Sequence, residues 1–82
     1  MYSYQTRGIV IRRKNFGEAD RILTIITEDL GKIKAIAKGV RKISAKMAGS
    51  LEPYNLVMLN LHLGKTFYTI TGTQNISNFE NI

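Results

Sequence analysis

Apolar and polar residues alternate along most of this chain, in short runs that glycine cuts apart. Gly17, Gly31, Gly39, Gly49 and Gly64, with Pro53, divide it into segments of strand length. The first segment, about Tyr4 to Asn15, holds Gly8-Ile9-Val10-Ile11-Arg12-Arg13. Three successive β-branched residues favour a strand there, and Gly8 is the expected place for a bulge or bend. Phe16-Gly17-Glu18-Ala19-Asp20 reads as a turn. The second strand, about Arg21 to Glu28, sets Arg21, Leu23, Ile25 and Thr27 against Ile22, Thr24 and Ile26. Asp29-Leu30-Gly31 closes a hairpin onto a third strand, Lys32 to Lys38. There Lys32, Lys34, Ile36 and Lys38 share one face and Ile33, Ala35 and Ala37 the other, the period of a half-buried strand with a basic outer face.

After Gly39 the period changes. Ile43, Met47 and Leu51 are four apart, which suits a short helix or helical turn with Ser44 as a cap, or an irregular connector. Pro53 ends it. The fourth strand, about Tyr54 to Leu63, puts Val57, Leu59, Leu61 and Leu63 on the core face and Leu56, Met58, Asn60 and His62 on the other. The fifth, about Thr66 to Ile76, sets Phe67, Thr69 and Thr71 against Tyr68, Ile70 and Gly72. Three strands, a connector and two strands make an all-β chain laid out as an OB-fold, a five-stranded barrel; an SH3-like barrel is the competitor, and the longer connector favours the OB-fold. The barrel is expected to take residues 1–76, with 77–82 as a tail.

Charge then adds a location. The chain has 82 residues and a formal net charge of +6. No acid stands between Asp29 and Glu52, where Lys32, Lys34, Lys38, Arg41, Lys42 and Lys46 fall, so the whole excess is local. Such a local field attracts a phosphate backbone. Arg12, Arg13 and Lys14 are expected to join this surface if the barrel brings the first and third strands together. The bland alternative is a solvated lysine face. Aromatic rings that would stack on bases are few: Phe16, Tyr54, Phe67 and Tyr68, with Tyr2 and Tyr4 near the N-terminus, and most are expected in the core. None lies inside the acid-free stretch, so a backbone grip with little sequence preference is expected.

Other chemistry finds little support. There is no Cys and one histidine, His62, which argues against disulfides and zinc, and no cofactor is expected. Glu18 and Asp20 lack a partner nucleophile; turn chemistry, or pairing with Arg21 or another arginine, explains them better than catalysis. The chain is therefore read as a non-enzyme. No apolar run reaches the ~20 residues of a membrane span and no secretory signal pattern opens the chain, so a cytoplasmic location is expected.

Several elements together resemble a known family. Gly8-Ile9-Val10-Ile11-Arg12-Arg13, Phe16-Gly17-Glu18-Ala19-Asp20-Arg21-Ile22-Leu23-Thr24, Gly31-Lys32-Ile33, Ala37-Lys38-Gly39-Val40-Arg41-Lys42 and Leu51-Glu52-Pro53-Tyr54 are similar, in order and spacing, to the N-terminal domain of the bacterial RecO recombination and repair proteins. The resemblance covers nearly the whole chain. It implies an OB-fold that binds single- and double-stranded DNA, anneals complementary strands, and works with RecR to load RecA where single-stranded DNA-binding protein covers gaps. It also implies a nucleoid-associated location and a further helical domain, often with a four-Cys zinc module, so that docking of the single-stranded DNA-binding protein's tail belongs elsewhere. Two other functions stay open: a barrel that docks RecR or another protein, and an RNA-binding OB domain.

Overall fold

The computed structural model describes residues 3–41, 49 and 51–75. Five strands follow one another: β1 (Ser3–Phe16), β2 (Asp20–Thr27), β3 (Gly31–Ala37), β4 (Leu56–Leu63) and β5 (Tyr68–Asn75). They close a barrel in the order β1-β2-β3-β5-β4, with β3 and β5 the one parallel pair among the described strands. This is the OB-fold layout. Among the described residues there is no helix; the expectation of one falls on 42–48 and 50, outside the described residues, while 38–41 form a turn.

β1 is long because it serves two neighbours. Its first half pairs with β4 from Ser3↔His62 to Ile9↔Leu56, and its second half pairs with β2 from Gly8↔Thr27 to Phe16↔Asp20. The two pairings overlap at Gly8 and Ile9. The expected bulge is present but lies at Ile11, where the register steps between Val10 and Arg12. Gly8 has a different role. A Cβ placed there would lie 2.8 Å from Ile25 Cγ2, with the Ile26 carbonyl oxygen and Leu59 Cδ1 each at 3.1 Å. Its missing side chain is what lets β2 and β4 approach both sides of β1. Gly8→Ala overpacks this point and costs about 1–3 kcal/mol, visible as a fall in the melting temperature on the order of 10 °C; an unchanged midpoint would show that the crossing has slack.

The core follows the alternation. Leu23 and Ile25 of β2, Ile33, Ala35 and Ala37 of β3, and Val57, Leu59 and Leu61 of β4 are all buried. Val10, Ile70, Val40 and Leu51 complete the cluster, the last two supplied by the segment between β3 and β4. Leu63, expected with this set, is 57% exposed. It is the last residue of β4, and its side chain stands beyond the packed interior. The aromatic expectation also needs correcting. Phe16 is 49% and Tyr54 75% exposed, so neither packs in the core, whereas Tyr68 leans on it.

The β2–β3 turn is closed by the buried Thr27, whose hydroxyl accepts from Leu30 N–H and donates to Gly31 C=O, both at 2.8 Å. Gly31 opens β3 at φ 68°, a conformation that glycine adopts without steric cost. Tyr54 is the one described non-glycine residue with positive φ, 71°. Its N–H donates to the Val10 carbonyl at 2.6 Å, so the segment entering β4 is pinned beside the β1 bulge. Local strain in Tyr54 is the cost of that docking.

Candidate nucleic-acid interface

Paired residues in an antiparallel ladder point to the same side of the sheet. On the outer side of β1-β2-β3 the register therefore sets up three rows: Ile9, Ile26 and Lys32; Arg12, Thr24 and Lys34; Lys14, Ile22 and Ile36. β2 lies between two strands that carry cations. The backbone positions that carry the cations of β1 and β3 are about 10 Å apart across β2, and successive ones along a strand about 7 Å apart. Ile11, Arg12, Lys14, Ile22, Thr24, Lys32 and Lys34 line one groove of about 430 Å³. Four of the seven lining residues are cationic and none is acidic, so the groove holds a field of a single sign.

The bulge decides which cations take part. With Ile11 as an extra residue, Arg12 falls opposite Thr24 and Lys14 opposite Ile22, both on the outer side. Arg13 falls opposite Leu23, on the side that faces the core, at a level where β1 has run past the barrel wall. There its guanidinium donates to the Glu52 carboxylate of the segment before β4. Of the three neighbours expected to act together, two face the groove and one ties down a connector. An unbulged strand would have reversed the choice.

The remaining candidates separate in the same way. Lys38 continues the β3 alternation into the following turn and is exposed. Arg41 is engaged in the structure: its N–H donates to the Ala19 carbonyl at 2.9 Å and its Nη1 to the Gly17 carbonyl at 3.1 Å. Lys42 and Lys46 lie outside the described residues. Asp20 completes the connection, its Oδ1 accepting from Gly39 N–H at 2.7 Å. The β1–β2 turn and the turn after β3 are thus laced together by three hydrogen bonds. Gly17 and Gly39, at φ 62° and 69°, shape the two turns. The turn role expected for Asp20 is present. The alternative, an ion pair of Glu18 or Asp20 with Arg21 or another arginine, is absent among the described residues, where Arg21 Nε donates instead to Asn15 Oδ1 at 3.2 Å.

Two features of this surface were not read from the sequence. The first is the groove floor, in which Ile11, Ile22 and Thr24 stand between the cations; the alternation of β2 contained that signal. The second is a smaller apolar depression of about 290 Å³ lined by Arg7, Gly8, Ile9, Ile26, Thr27, Glu28 and Leu56. It is edged by a two-pronged ion pair, Arg7 Nε and Nη2 to the Glu28 carboxylate at 2.6 and 2.5 Å. Those hydrogen bonds from the guanidinium hold the Glu28 carboxyl below the ordinary glutamate range. Among the described residues no cluster of His, Cys, Asp or Glu forms a metal site.

Comparison with known proteins bears on the whole chain. The family model described as "Recombination protein O N terminal" matches residues 1–79. A DNA repair protein RecO of Dehalococcoides mccartyi is 44% identical over 81 residues, which are 99% of this chain and 32% of the relative. The DNA repair protein RecO of Rubrobacter xylanophilus is 40% identical over 82 residues, 100% of this chain and 33% of the relative. That of Bifidobacterium adolescentis is 42% identical over 74 residues, 90% and 30% respectively. The chain spans about a third of the length of these relatives.

Proposed function

This chain belongs to the Recombination protein O N-terminal family, and from that premise we propose that it is the DNA-binding domain of a recombination and repair protein. The supporting observation is the groove whose lining carries Arg12, Lys14, Lys32 and Lys34 and, among the described residues, no acid. A phosphate backbone laid along β2 meets cations on both sides, and its binding releases condensed counterions. The floor of Ile11, Ile22 and Thr24 offers no hydrogen-bond pattern that reads base edges beyond one hydroxyl, so the grip follows the backbone and is indifferent to sequence. Binding is the activity proposed; no catalytic step is assigned. In the cell the domain acts in the cytoplasm, at the nucleoid. It supports annealing and, with RecR, the loading of RecA onto DNA covered by single-stranded DNA-binding protein.

A fluorescence-anisotropy titration at two salt concentrations tests the reading, using a labelled single strand and a duplex. With four cations engaged, the logarithm of the affinity falls against the logarithm of salt with a slope of about −3 to −4. Oligonucleotides of different sequence give the same curve. An absent or salt-independent signal sinks the reading, and tighter binding of RNA than of DNA of equal length moves it to RNA. A second reading, a barrel that docks RecR, is favoured by the apolar depression around Ile9, Ile26 and Leu56. RecR binding that survives high salt while oligonucleotide binding is lost separates the two.

A further inference from the structure

We propose that Phe16 is a base-stacking residue at the end of the basic groove, so that the groove holds the backbone of a single strand and the β1–β2 tip holds one of its bases. This rests on the DNA-binding reading of the groove and adds a residue and a strand preference to it.

The placement follows from the ladder. Arg12, Lys14 and Phe16 pair with Thr24, Ile22 and Asp20, so the ring continues the outer row of β1 immediately beyond its two cations. Residues two apart on a strand are about 7 Å apart, so the ring stands one step past Lys14. Phe16 is 49% exposed. Its ring has no polar atom to satisfy in water, and nothing in the core needs it. Ile22 and Ile36, both half-buried, share the row of Lys14 and extend an apolar strip towards it.

The charge becomes mixed at the same point. Below Phe16 the outer face is cationic; beside it stand Asp20, its ladder partner, and the exposed Glu18, with the Arg41 guanidinium on the Gly17 carbonyl and Lys38 in the facing turn. A phosphate is favoured over Arg12 and Lys14 and less so at the tip, where the acids offset those cations. An uncharged base is the nucleic-acid group that suits an exposed ring with carboxylates beside it.

The tip is also tied to the turn after β3. Ala19, Gly17 and Asp20 are each bonded to the turn after β3 through Arg41 N–H, Arg41 Nη1 and Gly39 N–H. A β-hairpin end would otherwise fray, and a fraying platform loses stacking energy to conformational entropy. The lacing therefore presents Phe16 at a fixed position relative to the cations. In a duplex the bases are already stacked and paired, so only a single strand has a face to offer.

The test compares Phe16→Ala and Phe16→Tyr with the unchanged chain by anisotropy at low salt, against oligothymidylate, an abasic strand of the same length and a duplex. Phe16→Ala weakens oligothymidylate binding about five- to 100-fold, moves the abasic strand and the duplex by less than about twofold, and Phe16→Tyr restores the affinity. Equal loss for all three ligands, or full affinity for oligothymidylate, overturns the inference. The abasic strand also reports whether Phe16→Ala remains folded, since its affinity depends on the cations alone. If the unchanged chain binds none of the ligands, the groove reading fails and the stacking inference fails with it. If it binds in a salt-dependent way while Phe16→Ala matches it, only the stacking inference fails.

Discussion

Arg12→Glu lowers oligonucleotide affinity on the order of tenfold at low salt, whereas Arg13→Glu, the next residue, leaves affinity close to that of the unchanged chain. Two adjacent arginines in an ordinary solvated patch would behave alike. Here the bulge at Ile11 puts Arg12 opposite Thr24, in the groove, and Arg13 opposite Leu23, on the other side of the ribbon. Arg12→Glu removes a phosphate contact and adds a repelling charge, so the salt slope falls by about 0.7–0.9 as well. Arg13→Glu instead places a carboxylate beside Glu52, with which Arg13 forms an ion pair. Both partners of that pair are more than a third exposed, so the stability loss is about 1 kcal/mol or less. The measurement is a pair of anisotropy titrations and a pair of thermal melts. Equal affinity losses in the two variants would mean that the groove does not define the binding surface.

Asp20→Ala lowers the melting temperature on the order of 10 °C, and Asp20→Asn recovers most of the difference. The carboxylate accepts from Gly39 N–H at 2.7 Å, and Gly39 sits at φ 69° in the turn after β3. Alanine leaves that donor without its acceptor, at a cost of about 1–3 kcal/mol. In a domain of this size each kcal/mol moves the midpoint by about 4–8 °C. Asparagine keeps an oxygen at the same position and loses only the charge assistance. Differential scanning calorimetry on the three chains decides it. An Asp20→Ala midpoint within a degree or two of the unchanged chain would show that Arg41 alone holds the two turns together.

This lacing gives a physical account of two of the sequence elements that carried the family resemblance. Phe16-Gly17-Glu18-Ala19-Asp20-Arg21 and Ala37-Lys38-Gly39-Val40-Arg41 are some 20 residues apart in the chain, yet they bond to each other. The Asp of the first holds the Gly N–H of the second; the Arg of the second holds the Gly and Ala carbonyls of the first. Arg41 was expected among the DNA-binding cations because it falls in the acid-free stretch. Its hydrogen bonds to two neutral carbonyls add an architectural role, and its exposed guanidinium keeps its charge.

What could be read along the chain was whatever depends on neighbours in sequence. The period of two in Lys32 to Lys38 assigned a basic and an apolar face to β3, and the structure buries Ile33, Ala35 and Ala37 while leaving Lys32, Lys34 and Lys38 exposed. Glycines placed the turns, and five strands around one connector gave the barrel, because local sterics and alternation suffice for both. The outer face of β1 was not legible. Side-chain direction along a strand reverses with each inserted residue, and nothing in Val10-Ile11-Arg12 marks where the insertion falls. It falls there because β1 must leave β4 and continue along β2, while the Val10 carbonyl is taken by Tyr54 N–H from a segment more than 40 residues away. Local chemistry thus set the strands and the sign of the charge. The closure of the barrel, a long-range event, selected Arg12, Lys14 and Phe16 for the outer face and turned Arg13 away from it.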